Sequence, residues 1–376
     1  MTAVTTSAGR EFVALESPTG RVNGAGFHPC QGMWYFPTGN KVTTAVIATH
    51  YNVDFSEHYL APLLAERGIG FLGWNTRYRN NEGWFLLEHA LVDVGAGVEW
   101  LRTEQRIDTI VLLGNCGGGS LMAAYQSQAT EPNLISVRGV SLPRALESLT
   151  PGDLYVSLQA HPGRPEVLTN WLDPSVIDEA DPVSRDSSLD MYEPSNGPPY
   201  DDAFAARYRN AQRARNDRIT DWAHAQLDRL EAAGSFDRNF NVHRTWADLR
   251  FMDPSLDPSD RPPRRCLGGD PRRANAGPYG IAAHCSVRTW LSMWSVRDSR
   301  CVGPPHLRRI GVPALVVQST ADVGVFPSDA QAIFDALRVD DKQMRWIPGD
   351  HYLESPGGAR AEAADLIASW ITDRGA

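Results

Sequence analysis

Short apolar runs alternate with amphipathic stretches over the first 160 residues, and the same rhythm returns after residue 312. EFVAL and MWYFP flank the turn-rich PTGRVNGAGFHP, which predicts an edge hairpin across residues 11–37. TTAVIATHY (43–51) reads as the next buried strand, followed by a polar loop. Ser56 is expected to cap a helix that carries Leu60, Leu63 and Leu64 on one face and stops at Gly68. GFLGWNT (70–76) predicts a strand, 90–104 a helix, 109–113 a strand, and LMAAYQSQA another helix. DLYVSLQAHP (153–162) is a sixth strand. Strands and helices alternating at this spacing imply a doubly wound, mostly parallel sheet.

The rhythm then breaks. Residues 181–202 are rich in Asp, Ser and Pro, and 253–280 in Pro, Gly and Arg. Between them, 203–233 predicts a long helix burying Ile219, Trp222, Leu227 and Leu230, with the arginines at 207, 209, 213, 215 and 218 on a solvated face. Residues 281–296 predict an aromatic-rich helix. Strand 313–320, helix 327–338, strand 342–348 and helix 361–373 resume the pattern. The expected organisation is a sheet domain, 1–160 and 306–376, interrupted by a mainly helical lid at 161–305.

Bulk numbers narrow the class. With 376 residues, 42% hydrophobic and 22% charged, the chain can bury an ample core. A net charge of −9 argues against nucleic acid or an anionic membrane as partner. MTAVTTSAGREF has no apolar centre of a signal peptide, and no run is long enough to span a bilayer. Five scattered cysteines (30, 116, 266, 285, 301) form no metal-binding or redox pair, so a reducing cytoplasm is the expected location. No metal or organic cofactor is implied, and a homodimer is carried as an open expectation.

The candidate chemistry lies at TIVLLGNCGGGS. Gly114-Asn115-Cys116-Gly117-Gly118 is a nucleophile elbow with cysteine as the central residue. A dinucleotide-binding turn would require glycine where Cys116 stands. A buried structural cysteine is the plainer alternative, and it is weighed by whether partners exist. Asp322 falls in the loop after strand 313–318 and His351 in the loop after strand 342–348. The order nucleophile–acid–histidine suits this architecture, and a parallel sheet opens all three loops on one edge. Asp350 beside His351 and the His284–Cys285 pair are the competing placements. The oxyanion donors are expected to be the backbone N–H of Gly117 and that of Tyr51 or Asn52. The dipole of the helix starting there and a protonated His351 would both lower the thiol pKa.

These residues resemble the α/β-hydrolase fold, and the elbow Gly114, Cys116, Gly118, Gly119 resembles that of dienelactone hydrolases and of polyhydroxyalkanoate synthases with their Cys–His–Asp triads. The likeness covers 40–130 and 310–375. Dienelactone hydrolases carry no lid of this size, and His50-Tyr51 stands where His-Gly is common.

A thiolate leaves more readily than an alkoxide, so activated acyl groups (enol lactones, aryl esters, thioesters) are favoured as substrates. Lid and loop aromatics point to a bulky apolar or cyclic acyl group. The expected pocket residues are His50, Trp74, Arg77, Trp84, Trp290 and Trp294, with Arg77 placed to neutralise a carboxylate or to form a structural ion pair. Three classes follow: a hydrolase of esters or lactones through a thioester, an acyltransferase or synthase passing the acyl group to another acceptor, and a non-catalytic binding protein, against which the complete triad speaks.

Overall fold

The strands close into one eight-stranded sheet because their apolar residues alternate between two faces that are both covered. In the computed structural model, residues 8–20, 26–39 and 41–375 are described; residues 1–7 and part of the predicted first turn (21–25) lie outside them. The sheet strands are β1 (Ala8–Leu15), β2 (Cys30–Pro37), β3 (Thr44–Ala48), β4 (Gly70–Asn75), β5 (Thr109–Cys116), β6 (Leu154–Ala160), β7 (Ala314–Ser319) and β8 (Lys342–Ile347). Their spatial order is β1-β2-β4-β3-β5-β6-β7-β8, with β2 antiparallel to both its neighbours and the rest parallel.

Ile110 and Leu112 of β5 pack with one core and Val111 and Leu113 with the other, as Ala45/Ile47 and Val46/Ala48 do in β3. The first core is closed by α2 (Leu87–Thr103), α3 (Gly118–Thr130) and α6 (Pro327–Ala336), the second by α1 (Ala61–Ala65) and α7 (Ala359–Gly375). Burial on both faces is why these strands read as continuous apolar runs. The chain runs from β3 outward to β4 and returns to β5 on the other side. The crevice beyond the C-terminal ends of β3 and β5 is therefore where a doubly wound sheet accepts a ligand.

Between β6 and β7 the chain leaves the sheet. Its main helices there are α4 (Arg164–Trp171) and the 31-residue α5 (Asp202–Ala232), whose first turn is capped by the Asp201 carboxylate accepting the Phe204 N–H at 2.6 Å. Ile219 and Leu227 are buried on α5 as predicted, and Trp222 and Leu230 are partly so.

Arg215 departs from the predicted solvated face. Its side chain is fully buried, bound to Glu179 and donating to the carbonyls of Asp173 and His243 at 2.8 Å each. A sequence periodicity cannot distinguish a solvated arginine from one whose donors are all met by carbonyls. The helix expected at 281–296 is also shorter. His284–Ser286 pairs with Asn239–Asn241 as a strand, and the Ser286 hydroxyl then caps a turn by accepting the Thr289 N–H, so helical structure covers only 287–294. Likewise α1 begins at Ala61, not after Ser56, whose hydroxyl accepts a hydrogen bond from Asn75 instead.

Leu113 sits at the centre of β5, completely buried, immediately before the elbow. Leu113→Ala is expected to cost about 2–5 kcal/mol, read as a lowered denaturant midpoint with an unchanged slope.

Candidate active site

The chain turns from β5 into α3 through a backbone that only small neighbours permit. Cys116 has φ +55°, left-handed for a residue with a side chain, and such strain costs on the order of 1–3 kcal/mol. A β-carbon on Gly114 would stand 2.4 Å from the Gly119 Cα, one on Gly118 2.1 Å from the Thr49 carbonyl oxygen, and one on Gly119 2.5 Å from the Ala160 Cβ. The glycines are thus there for close approach of β5, α3, β6 and the loop after β3. The result lifts the Cys116 thiol to the sheet edge, where it remains partly exposed.

Five further loops at that edge converge on it. Asp322, after β7, is buried; one carboxylate oxygen accepts the N–H groups of Gly324 (2.7 Å) and Val325 (2.9 Å), and the other accepts His351 Nδ1–H at 2.8 Å. This fixes the ring with Nε2 toward the sulfur, and His351 hydrogen-bonds Cys116. Gln159 of β6 ties the β7 and β8 ends together, donating to Ser319 and to the Asp350 carbonyl at 2.8 Å. Asp350 itself serves its own loop, accepting the N–H groups of Tyr352, Glu354 and Ser355. Cys285 is buried and its thiol is pushed well above the ordinary range by burial, while His284 is bonded to Asn241.

Two more histidines reach the thiol. His161, directly after β6, and His50, after β3, both hydrogen-bond Cys116. The Asn52 and Val53 N–H groups donate to His50 Nδ1 at 3.2 Å each, so the ring proton sits on Nε2. Burial lowers the His50 pKa and keeps the ring neutral.

Burial pushes the Cys116 thiol up, but the charge of His351 and the hydrogen bonds of the three histidines outweigh it and hold the thiol well below its usual range. Burial likewise works against charge on His351, and Asp322 and the Cys116 sulfur outweigh it, holding that imidazole well above its usual range. The two shifts run in opposite directions, so each group favours the charged form of the other.

The expected backbone donor on the loop after β3 is corrected in part: the Asn52 N–H is directed to His50, and the loop presents the His50 Nε2–H to the site instead. Tyr51 is buried beneath, its hydroxyl bonded to Ser120 at 3.0 Å. Gly117 opens α3 as expected, where a first-turn N–H has no partner within the helix.

The thiol lies in a cavity of about 370 Å³, with His50, Glu82, His161, Arg164 and His351 among its polar lining and Val53, Phe55, Val167, Trp171, Trp246, Leu267 and Ile281 among its apolar lining. Of the predicted pocket residues only His50 lines it. Trp74, a residue of β4, is buried, its indole N–H donating to the Asp93 carbonyl. Arg77 is an ion pair with Asp93 at 2.6 Å, also bound to Ser17. Trp84 is 60% exposed and bonded to Asn239; Trp290 is buried and bonded to Thr220; Trp294 packs behind Arg164. The aromatic wall is instead Trp171 stacked on Trp246 at 4.7 Å. Sequence reasoning missed His161, Arg164 and Glu82. The available signal was position: all three follow the C-terminal end of a parallel strand.

No protein-family model matches the chain, and no curated protein matches it in sequence. Among solved structures it is similar to DcsB in complex with its substrate analogue, at TM-score 0.52 and 13% identity, covering 97% of this chain and 99% of that one. It is also similar to the α/β hydrolase GrgF from Penicillium sp. sh18 (0.49, 14%, 97% and 99%) and to the dienelactone hydrolase from Anabaena variabilis (0.44, 11%, 97% and 98%). The chain has the α/β-hydrolase fold. Strand order, the left-handed elbow and the loops that carry the titratable residues all follow from that sheet. Among the described residues, no helix is long and apolar enough to cross a membrane.

Because the Cys116 pKa is depressed, alkylation of Cys116 by iodoacetamide should reach its plateau at a lower pH than that of an ordinary thiol, and fall only below that range as the thiolate is protonated. His351→Ala removes the stabilising charge, so the midpoint should move up toward the ordinary thiol value of about 8.5. At pH 6 the alkylation rate should then drop about tenfold or more. Gly118→Ala should displace Thr49 and with it His50, cutting the alkylation rate while the protein still folds.

Proposed function

We propose that this protein hydrolyses esters or lactones of activated, bulky apolar or cyclic acyl groups through a thioester on Cys116, with His351 and Asp322 completing the triad. The observation that carries the reading is geometric: a thiol on a left-handed elbow shares one cavity with a histidine whose far nitrogen donates to a buried carboxylate at 2.8 Å. Structures sharing the fold include the esterases and lipases among its neighbours, which fits a carboxylic ester hydrolase.

In this mechanism the Cys116 thiolate attacks the acyl carbon, and the carbonyl π pair moves onto oxygen. The Gly117 N–H and His50 Nε2–H face that oxygen. The intermediate collapses, the carbon–oxygen bond to the leaving group breaks, and the His351 imidazolium gives its proton to the departing oxygen. Neutral His351 then takes a proton from water as it attacks the thioester. The second intermediate expels the Cys116 thiolate and releases the acid, returning His351 to imidazolium. Asp322 keeps its charge throughout and holds the Nδ1–H tautomer. The insertion side of the cavity, Trp171, Trp246, Leu267 and Ile281, supplies an apolar surface for the acyl group.

Intact-protein mass spectrometry after brief mixing with aryl esters and lactones tests the reading. Wild type should show a transient acyl adduct that disappears as acid forms, and Cys116→Ala should show none. Asp322→Asn should lower kcat about 10²–10⁴-fold by losing the correct tautomer. Acyl transfer to an added alcohol or amine in preference to water would turn the assignment to an acyltransferase. The absence of any adduct and turnover across the panel would argue for a binding protein.

A further inference from the structure

Arg164 is not used by the triad, yet it is only 3% exposed and stands in the wall of the same cavity. It is the first residue of α4, its N–H donating to the Cys301 carbonyl at 3.0 Å. Its guanidinium is clamped between two aromatic faces, 5.1 Å from the Tyr51 ring centre and 4.6 Å from that of Trp294. The three nitrogens have different fates. Nη2 reaches Glu82 at 3.4 Å, Nε is buried with no partner, and Nη1 makes no hydrogen bond among the described residues.

The position of Nη1 tells what it faces. A β-carbon on Gly117 would lie 2.6 Å from His50 Nε2 and 2.8 Å from Arg164 Nη1. Both nitrogens thus occupy the space that a side chain at the start of α3 would fill, directly beside the backbone N–H expected to bind the oxyanion. We propose that Arg164 is a further catalytic residue, a charged third donor whose Nη1–H binds the oxyanion of the tetrahedral intermediate alongside the Gly117 N–H and His50 Nε2–H. This rests on the thioester reading above.

Two physical arguments favour an oxyanion over a substrate carboxylate. Carboxylate recognition by arginine uses two parallel donors, and here the fork is divided: Nη2 is held by Glu82 and Nε is sealed. That leaves Nη1, without a hydrogen-bond partner among the described residues, and a single nitrogen suits a single oxygen. Second, His50 is held neutral by burial, with the Arg164 charge also opposing its protonation. His50 therefore supplies a dipole, and Arg164 a full positive charge, beside Gly117. In a site of low dielectric that charge interacts strongly with a developing anion. The fixed aromatic clamp means little reorganisation is needed as the anion forms. Glu82, whose other oxygen accepts the Ala282 N–H at 2.8 Å, acts as a positioning residue.

The test compares Arg164→Lys, Arg164→Gln and the double variant Arg164→Gln/Glu82→Gln, the last leaving no unpaired buried carboxylate. Cys116 alkylation reports that the site has folded. Each variant is assayed with a neutral aryl ester, with its carboxylate-bearing counterpart, and with a trifluoromethyl ketone that forms a tetrahedral thiolate adduct. Both neutral variants should lose about 10²–10³-fold in kcat on the neutral ester, the loss typical for one oxyanion-hole donor, with KM little changed. Ketone binding should weaken by a similar factor, and Arg164→Lys should recover part of both. An unchanged kcat on the neutral ester, or a rise in KM confined to the carboxylate-bearing ester, overturns the assignment. If wild type forms no ketone adduct, the thioester reading itself fails and this inference falls with it.

Discussion

The left-handed backbone at Cys116 is the constraint to which the surrounding structure is fitted. A strained residue at the mouth of the sheet persists only where its neighbours hold it, and here they are held by contact. Gly114 against Gly119, Gly118 against the Thr49 carbonyl and Gly119 against Ala160 leave no space for a β-carbon. The same crowding brings the β3 loop, with His50, next to the start of α3. Relaxing the turn would therefore move the thiol and one of its hydrogen-bonding partners together.

Charge is arranged around that turn with unequal burial costs. Charge on the Cys116 sulfur or on His351 would be expensive to bury alone, and each group favours the charged form of the other. Asp322 balances His351 from behind, its own charge met by two backbone N–H groups and one imidazole N–H. His50 is kept neutral by burial, and the two N–H groups that donate to its Nδ1 place its proton on Nε2, so it offers a proton without adding a charge. Arg164 and Glu82 form a further buried pair at the opposite wall. The site thus gathers several titratable groups while leaving none of them both charged and isolated.

The segment between β6 and β7 completes the cavity in a way the sheet cannot. Its stacked Trp171 and Trp246, with Leu267 and Ile281, make the apolar wall facing the thiol. Its first turn also delivers His161 and Arg164 to the polar side. The tryptophans of 290 and 294 go inward instead, packing the segment against α5 and against the Arg164 guanidinium. One stretch of chain therefore both covers the site and furnishes part of its chemistry.

The sheet was legible in the sequence because parallel strands covered on both faces must be apolar throughout, and 109–113 and 313–318 are. The elbow was legible because its close contacts admit only glycine at fixed offsets from Cys116. With strand ends located, topology put Asp322 and His351 on the same edge, since every parallel strand ends there. What the sequence did not determine were contacts made across the fold. Whether an arginine is solvated or buried depends on carbonyls and carboxylates far along the chain, as Arg215 and Arg164 illustrate. Which tryptophans face the thiol depends on how the insertion packs, and the proton position on His50 depends on two amides donating to it. Local pattern carries the periodicity of burial; only the assembled tertiary structure decides which partner meets each buried polar group.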